Sequence, residues 1–366
     1  MITAHRTAKH SPYLVWAKLN SQARFNLASS GVAAYPLSKL PVRLEELEIS
    51  GPGGTYGFPP LQERLARHQG VSAECIVAAI GTSMANFLAC AGILETGDEV
   101  LVEHPAYGPM FEAPEFLGAI VRRFRRSFES GFALDPAEIE RAITPRTRLI
   151  ALTNLHNPSG AFASTETLKA VGEIARRAGA RVLVDEVYLD MFFDPAVRSS
   201  FHLGEQFVVT SSLTKVYGLS GLRCGWILAS PELTRNIWRI NDLFGNIPSF
   251  TAEQLSVIAL DHLPQIAARS RELLARNRTI LDEFLASRND LEFLRPPAGT
   301  VVFPRLKRGR TEEFVRLLRE KYETSVVPGH FFEMPEHFRL GIGGDTQHLR
   351  AGLERVAAAL DEFSGS

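Results

Sequence analysis

Between residues 75 and 230, short apolar runs alternate with stretches of helical character, and this rhythm constrains the fold more than any other feature of the sequence. Runs of consecutive Val, Ile, Leu and Ala are typical of strands that are covered on both faces of a sheet. Strand, helix and strand in succession predict a three-layer α/β/α domain with a mainly parallel sheet. The predicted strands are Cys75–Ile80, Glu99–Val102, Arg148–Thr153, Arg181–Val184, Phe207–Thr210 and Trp226–Ala229. The predicted helices between them are Ser83–Leu94, Pro136–Ala142, Ser164–Ala178 and Pro231–Phe244.

The rest of the chain predicts a second, smaller unit, because 366 residues exceed one ordinary domain. A largely helical connector, Gln254–Phe284, leads into short strands and two helices, Thr311–Lys321 and one from Thr346 to about Phe363. The first 40 or so residues are irregular, and we expect them to pack on this unit. The termini would then form a smaller α+β domain. The predicted segments are 1–45 (arm and part of the small domain), 46–265 (large domain) and 266–366 (connector and small domain).

The charge balance argues against polyanionic partners. Forty basic and 41 acidic residues leave a net charge of −1, which gives no reason to expect binding to nucleic acid or to an anionic membrane. One basic run, formed by Arg122, Arg123, Arg125 and Arg126, is interpreted as a solvated strand or turn rather than a polyanion site. Because no 18 consecutive residues are apolar, no membrane span is expected.

The cysteines and the amino terminus bear on the compartment. Cys75, Cys90 and Cys224 are scattered, cannot all pair within the chain, and have no metal-ligand spacing, so no metal site is expected. Such cysteines are typical of a reducing compartment. Residues 1–13 carry charge but no apolar run, and therefore do not form a secretory signal. We expect a cytoplasmic protein.

A lysine lies in the most informative stretch, directly after the predicted strand Phe207–Thr210. Ser212 is followed three positions later by Lys215, and Arg223 and Gly225 come eight and ten positions after the lysine. Burial beside cations lowers the pKa of a lysine, and the unprotonated amine can attack an aldehyde. The pattern resembles the fold-type I pyridoxal-phosphate (PLP) enzymes of the class I/II aminotransferase group, the aspartate aminotransferase superfamily. The resemblance implies that Lys215 holds PLP as a Schiff base, and that Ser212 and Arg223 bind the cofactor phosphate.

Two further motifs follow predicted strands upstream of the lysine. Asp185 ends the run that begins at Arg181, where a buried aspartate alone could equally be a helix cap. In the resembling family this aspartate pairs with the pyridine nitrogen, and the tyrosine that matches Tyr188 bonds the phenolic oxygen. The resemblance thus implies catalytic roles for Asp185, Tyr188 and Lys215. Asn157 lies in an Asn-Pro-x-Gly loop, which alone is a turn signal. The resemblance makes Asn157 a ligand of cofactor and substrate, with the isomer of the Asn157–Pro158 bond left open.

The stretch Ile80–Ala85 ends a strand and opens a helix, with Thr82 or Ser83 as the expected N-cap. The free N–H groups at a helix start form an anion site. The resemblance places the cofactor phosphate here, with Ser83 and Met84 as candidates. Tyr107, in Glu103–Tyr107, matches the aromatic residue that stacks on the pyridine ring; the alternative is a core tyrosine.

Three more residues complete the predicted site. Arg339 stands alone among apolar neighbours, and a buried guanidinium needs an anionic partner. The resemblance implies that it binds the substrate carboxylate; a structural ion pair with a glutamate is the alternative. Gly31 is a candidate for close approach to the substrate. Tyr56, in Thr55–Gly57, matches a tyrosine that reaches the phosphate of the neighbouring subunit, which implies a homodimer.

The resemblance implies an aminotransferase that moves an amino group between an L-amino acid and a 2-oxo acid. The same residues also serve PLP-dependent lyases of the C–S β-lyase type and ring-forming synthases, because removal of the α-proton begins many reactions. A non-catalytic PLP-binding regulator is a more distant alternative, since no basic helix-turn-helix pattern is present. None of the motifs identifies the amino acid.

Overall fold

The structure, a computed structural model, describes residues 10–53, 56–245 and 248–365. Its α-helices are α1 (Pro12–Leu19), α2 (Pro59–Gln69), α3 (Gly81–Ile93), α4 (Pro109–Phe116), α5 (Pro136–Ala142), α6 (Thr165–Ala178), α7 (Pro231–Asn241), α8 (Phe250–Asp261), α9 (Leu263–Ala286), α10 (Thr311–Tyr322) and α11 (Thr346–Gly365). Short 3₁₀ helices cover Leu37–Lys39, Leu44–Glu46, Ala73–Cys75, Leu189–Phe192, Ser200–Leu203, Ser220–Leu222 and Gly329–Phe332. The strands are β1 (Phe25–Asn26), β2 (Ile76–Ile80), β3 (Glu99–His104), β4 (Ile120–Arg125), β5 (Thr147–Thr153), β6 (Arg181–Asp185), β7 (Phe207–Ser212), β8 (Cys224–Leu228), β9 (Leu291–Glu292), β10 (Val301–Val302), β11 (Arg305–Leu306), β12 (Thr324–Ser325), β13 (Val327–Pro328) and β14 (Phe338–Gly341).

Seven strands form one sheet in the order β2-β8-β7-β6-β5-β3-β4. All neighbouring pairs are parallel except those of β8, which runs antiparallel to both β2 and β7. The central strands β5, β6, β7 and β8 are buried almost throughout, as their apolar runs predict. Helix α3 packs against β7 and β8, and α6 packs against β5 and β6. The predicted α/β fold with a mainly parallel sheet is confirmed.

Strand β4 was not among the predicted strands, and its sequence explains why. It lies at the edge of the sheet, and arginines make up half of its residues, so it contains no long apolar run. The interpretation of the basic run as a solvated strand is correct for Arg122 and Arg125 but wrong for Arg126, which is 1% exposed. Arg126 Nη1 donates to Glu103 Oε2 at 2.6 Å, and Arg126 Nε donates to the carbonyl of Phe132 at 2.8 Å. A buried guanidinium is tolerated here because it is paired.

The Glu103→Gln substitution is expected to lower the free energy of unfolding by about 3–5 kcal/mol, because it leaves the buried charge of Arg126 without a counter-charge. Urea denaturation followed by circular dichroism measures the change. The matched control is Glu140→Gln, since Glu140 forms an exposed ion pair with Arg177 at 2.6 Å. The control should change stability by less than about 1 kcal/mol. Equal losses in the two variants would contradict the account of the buried pair.

The smaller unit contains residues from both ends of the described chain. β1 pairs in parallel with β12, and the carbonyl of Leu27 accepts a hydrogen bond from Gly341 N at 2.7 Å. β14 pairs with both β10 and β13, and β9 pairs with β11. The amino-terminal segment therefore packs on carboxy-terminal strands, as expected from the sequence; the domain boundaries at residues 45 and 265 stay a prediction. The predicted connector is divided at His262, where α8 ends and α9 begins with Pro264 in its first turn.

In the part of the chain that the structure describes, no helix has the length and apolar character needed to span a bilayer. Cys75, Cys90 and Cys224 are all free thiols. Residues 1–9, which make up most of the charged amino-terminal segment 1–13, lie outside the described residues.

Candidate active site

A cavity of about 370 Å³ opens at the carboxyl ends of the parallel strands β5 and β6, beside the start of α3 and beneath α1. Ligands of open α/β sheets bind at this edge. The cavity contains most of the predicted site residues. It is lined by Tyr13, Leu14, Trp16, Ala17, Ser21, Asn26, Ala28, Ser29, Ser30, Thr82, Ser83, Asn86, Tyr107, Thr153, Asn157, Asp185, Val187, Tyr188, Thr214, Lys215 and Arg223.

A larger cavity, of about 620 Å³, lies between α2, the loop after β6 and the start of α9. It contains none of the residues predicted for the site. We take the smaller cavity as the candidate active site, because that cavity brings together a half-buried lysine, a buried aspartate and an arginine. Groups with strongly shifted pKa values that converge in one cavity are typical of active sites.

Lys215 follows β7 in the loop that returns to β8. Its Nζ donates to Ser30 Oγ at 3.0 Å, and its carbonyl accepts a hydrogen bond from Val32 N at 2.8 Å. Burial lowers the pKa of Lys215 to about 8, with smaller contributions from the positive charges of Arg339 and Arg223. A substantial fraction of this amine is therefore neutral near physiological pH, which a nucleophilic or basic role requires.

Asp185 is the last residue of β6, with 3% of its surface exposed. Its carboxylate accepts hydrogen bonds from Asn86 Nδ2 at 2.8 Å and from Val187 N at 3.1 Å. Burial raises the pKa of Asp185 to about 6, against the effect of these hydrogen bonds. An anionic carboxylate held in this way favours a cationic partner across the cavity.

Two tyrosines flank the space between Lys215 and Asp185. Tyr188 is buried and hydrogen-bonded to Ser30, and burial raises its pKa to about 12. Tyr107, at the start of α4, is hydrogen-bonded to Ser83, and burial raises its pKa well above the ordinary value. Both phenols are therefore neutral hydrogen-bonding groups at physiological pH. The ring of Tyr107 meets that of Tyr13 edge-on, with 5.6 Å between centroids.

The start of α3 and Arg223 form a positively polarised corner of the cavity. The helix begins at Gly81, so neither Thr82 nor Ser83 is its N-cap; instead, Thr82 Oγ1 donates to Ser212 Oγ at 2.8 Å. Gly81 has a φ of 74°, and a Cβ there would collide with the guanidinium of Arg223. Glycine is thus needed to let Arg223 approach the helix start. The free N–H groups and the guanidinium together suit a phosphate.

Arg339 is 1% exposed and forms hydrogen bonds with neutral groups. Its Nη1 donates to Asn157 Oδ1 at 2.9 Å, and its Nη2 donates to Tyr13 Oη at 2.8 Å and to the carbonyl of Ala28 at 3.2 Å. Its Nε has no partner among residues 10–53, 56–245 and 248–365. The alternative of a structural ion pair with a glutamate is wrong within these residues, and the guanidinium keeps an uncompensated charge that suits a carboxylate.

Asn157 stands between Arg339 and β5. Its backbone N donates to Thr153 Oγ1 at 2.9 Å, which fixes the loop after the strand. The cis peptide bonds of the described residues are His104–Pro105 and Asn154–Leu155, so the Asn157–Pro158 bond is trans.

Five predicted residues lie outside the lining of the cavity within one chain. Two of them, Ser212 and Arg339, contact residues of the lining, as described above. The other three are Tyr56, Met84 and Gly31. Tyr56 is 51% exposed and donates to Asp242 Oδ2 at 3.1 Å, while Thr55 of its motif lies outside the described residues. Met84 is half-buried on α3. Gly31 lies beside the stem of Lys215, where a Cβ would stand 3.6 Å from Lys215 Cδ. The roles assigned to Tyr56, Met84 and Gly31 stay predictions.

The sequence motifs did not indicate Tyr13, Ser30 or Asn86 as site residues. Asn86 could have been found, because it follows Ser83 by three positions on α3 and so lies on the same helix face. Tyr13 and Ser30 belong to the irregular amino-terminal segment, and no local pattern marks them.

The chain is similar to known proteins over most of its length. The family model "Aminotransferase class I and II" matches residues 39–356. The arginine–pyruvate transaminase AruH of Pseudomonas aeruginosa is 30% identical over 324 residues, which are 84% of this chain and 82% of that protein. The capreomycidine synthase of Streptomyces vinaceus is 29% identical over 353 residues, 93% of this chain and 90% of that protein.

Among solved structures, a PLP-dependent aminotransferase from Streptococcus suis superposes with a TM-score of 0.89 and 27% identity, covering 96% of this chain and 97% of that chain. The family match, the relatives and the fold all point to one kind of enzyme. The chain belongs to the class I and II aminotransferases, PLP-dependent enzymes that move an amino group between an amino acid and a 2-oxo acid.

Proposed function

We propose that the 370 Å³ cavity is the active site in which this chain binds PLP and carries out transamination. One observation carries the proposal: Lys215, with its lowered pKa, shares the cavity with Asp185, whose pKa is raised. Two groups whose environments shift their pKa values in this way are suited to proton transfer near neutral pH. Arg339, with its uncompensated charge, extends from the small unit toward the same cavity residues.

The residues present fit PLP by the chemistry of their donors. Ser83, Ser212, Arg223 and the start of α3 would hold the phosphate, since they supply N–H, O–H and guanidinium donors. Asp185 would pair with the ring nitrogen. On the opposite edge, Asn157 and Tyr188 would bond the phenolic oxygen. Tyr107 would supply the ring that stacks on the cofactor.

When bound, PLP supplies an aldehyde that condenses with amines and a ring that accepts electrons from the substrate α-carbon. The protein residues do the rest. Arg339 would bind the substrate α-carboxylate and so orient the α-hydrogen toward Lys215. Lys215 would take that proton on Nζ and release it again as a general acid. Asp185 would keep its negative charge facing the ring nitrogen, and α1 would exclude water from the cavity.

The assembly and compartment are part of the proposal. Tyr56 is exposed and lies outside the cavity of its own chain, where its hydroxyl bonds the side chain of Asp242. In a homodimer, Tyr56 would exchange this surface contact for one with the cofactor phosphate in the second chain. Ile80, Leu243 and Phe244 are also exposed apolar residues, and a partner chain would cover them. Three free thiols favour the cytoplasm as the compartment.

An absorption spectrum of the purified protein with PLP, recorded before and after addition of each common L-amino acid, tests the function. Transamination predicts a band near the visible edge that converts to the pyridoxamine form with at least one amino acid. The relative named capreomycidine synthase supports a second candidate, a lyase or synthase. In that case the amino acid would be consumed without pyridoxamine product. Absence of the band would refute the proposal.

Mixed dimers test the shared site. A dimer of one Lys215→Ala chain and one Tyr56→Ala chain keeps one intact site only if Tyr56 acts across the interface. Such a dimer, purified through two different tags, should show about half of the wild-type turnover, because one of its two sites is complete. The Tyr56→Ala homodimer is the control. Turnover of the mixed dimer no higher than half of that control would mean that Tyr56 acts within its own chain.

A further inference from the structure

Helix α1 brings a tyrosine into the cavity that none of the sequence motifs indicated. Ser11 caps the helix, accepting a hydrogen bond from Leu14 N at 3.4 Å, and Pro12 occupies its first position. Tyr13 then points inward and is 8% exposed, while Leu19 at the other end is 73% exposed. Tyr13 packs against Tyr107 and Phe332. These contacts fix its ring at the junction of the two units.

The hydroxyl of Tyr13 lies next to the arginine that is proposed to bind the carboxylate. Tyr13 Oη accepts a hydrogen bond from Arg339 Nη2 at 2.8 Å, and the Arg339 guanidinium carbon stands 5.5 Å from the centroid of the Tyr13 ring. Because the hydroxyl is the acceptor in this bond, its own hydrogen is available. Within the described residues, the structure gives the Tyr13 hydroxyl no second hydrogen-bond partner.

Arg339 offers the matching half of a carboxylate site. Its contacts with Asn157, Tyr13 and Ala28 use three of its five N–H groups, and its Nε–H is free and buried. All three partners are neutral. A buried guanidinium with a free Nε–H, beside a buried hydroxyl with a free hydrogen, presents donors toward the same kind of acceptor.

We propose that Tyr13 is a second ligand of the substrate α-carboxylate, donating its hydroxyl hydrogen to the anion that Arg339 binds. This inference rests on the proposed function and adds α1 to the substrate site. It assigns Tyr13 to positioning of the substrate, since its contacts lie with Arg339 and not with Lys215 or Asp185. Removal of the Tyr13 hydroxyl should therefore weaken the binding of ligands that carry a carboxylate and leave the binding of PLP unchanged.

Two aminooxy compounds make the test independent of the unknown amino acid. Aminooxyacetate and methoxyamine carry the same nucleophile and react with the PLP aldehyde, but only aminooxyacetate carries a carboxylate. Their apparent dissociation constants are measured from the loss of the visible band in PLP-loaded protein. The Tyr13→Phe variant should bind aminooxyacetate about 10- to 100-fold more weakly, the range for a hydrogen bond to a charged group. Its affinity for methoxyamine should stay within about twofold.

Two further variants sharpen the result. Arg339→Gln should also lose affinity for aminooxyacetate selectively. Tyr322→Phe is the matched control, because Tyr322 bonds Glu362 on the surface between α10 and α11 and should affect neither compound. Equal losses for both compounds in Tyr13→Phe, or no loss, would overturn the inference while leaving the proposed function intact. A wild-type protein that forms no PLP band would overturn both.

Discussion

The Lys215→Ala variant is expected to lose about 10⁴-fold or more in kcat, because one side chain supplies both the covalent attachment and the proton-transferring amine. No other lysine lines the cavity in the described residues. The variant should fold normally, since alanine removes a buried amine whose desolvation is unfavourable. Steady-state transamination with the amino acid identified by the spectral panel measures the effect.

Lys169→Ala is the control for this loss, because Lys169 is exposed on α6 and away from the cavity. Its kcat should equal that of the wild type. The spectra give a second readout: Lys215→Ala should lack the band of covalently bound PLP even at saturating cofactor. Near-normal transamination by Lys215→Ala would refute the assignment of the lysine and, with it, the proposed site.

The lowered pKa of Lys215 predicts how the reaction of this residue with PLP depends on pH. With a pKa of about 8, roughly half of the amine is neutral at pH 8, against less than about 1% for an ordinary lysine. The rate at which the apoprotein captures PLP covalently should therefore rise with pH through about 8 and then level off. Stopped-flow absorbance measures this rate, and a rise that continued toward pH 10.5 would contradict the shift.

The sequence alone could predict which candidate residues lie close together wherever a local pattern encodes their relation. Ser212, Lys215 and Arg223 lie within one short stretch, where the strand, the loop and the turn at Arg223 fix their relation. Asp185 and Asn157 were also predictable, because the ends of neighbouring parallel strands meet at one edge of the sheet.

The sequence could not predict contacts between segments that are far apart in the chain. Tyr13 and Arg339 are 326 positions apart, and Lys215 and Ser30 are 185 apart. Only the packing of the amino-terminal segment on β12 and β14 brings them together. The burial of Arg126 could not be predicted for a similar reason, because its partner Glu103 lies on the adjacent strand. The sequence also does not show which of the four arginines in the basic run is buried.

The Asp185→Asn variant is expected to lower kcat by about 10²–10³-fold, the usual loss when one electrostatic contact to a developing charge is removed. Asparagine keeps the shape and can still bond Asn86 or Val187, but it carries no charge to stabilise a proton on the facing nitrogen. The expected loss is in kcat, and covalent capture of PLP should persist because Lys215 is unchanged. A variant with wild-type kcat would show that the charge of Asp185 has no part in the reaction.

The same variant should make the apoprotein more stable, with a defined dependence on pH. Burial raises the pKa of Asp185 to about 6, so between about pH 4 and pH 6 the folded protein holds a proton that the unfolded chain has lost. The free energy of unfolding of the wild type therefore falls as pH rises through this window, by up to about 3 kcal/mol for this group. The free energy of unfolding of Asp185→Asn lacks this decrease, so the variant should become more stable relative to the wild type from pH 4 to pH 7.

Asp282→Asn, a change in an exposed ion pair with Arg295, should show no such trend in urea denaturation. If the difference in the free energy of unfolding between Asp185→Asn and the wild type did not vary with pH, burial would not raise the pKa of this carboxyl group. The charge of Asp185 would then not be a destabilising feature of the cavity.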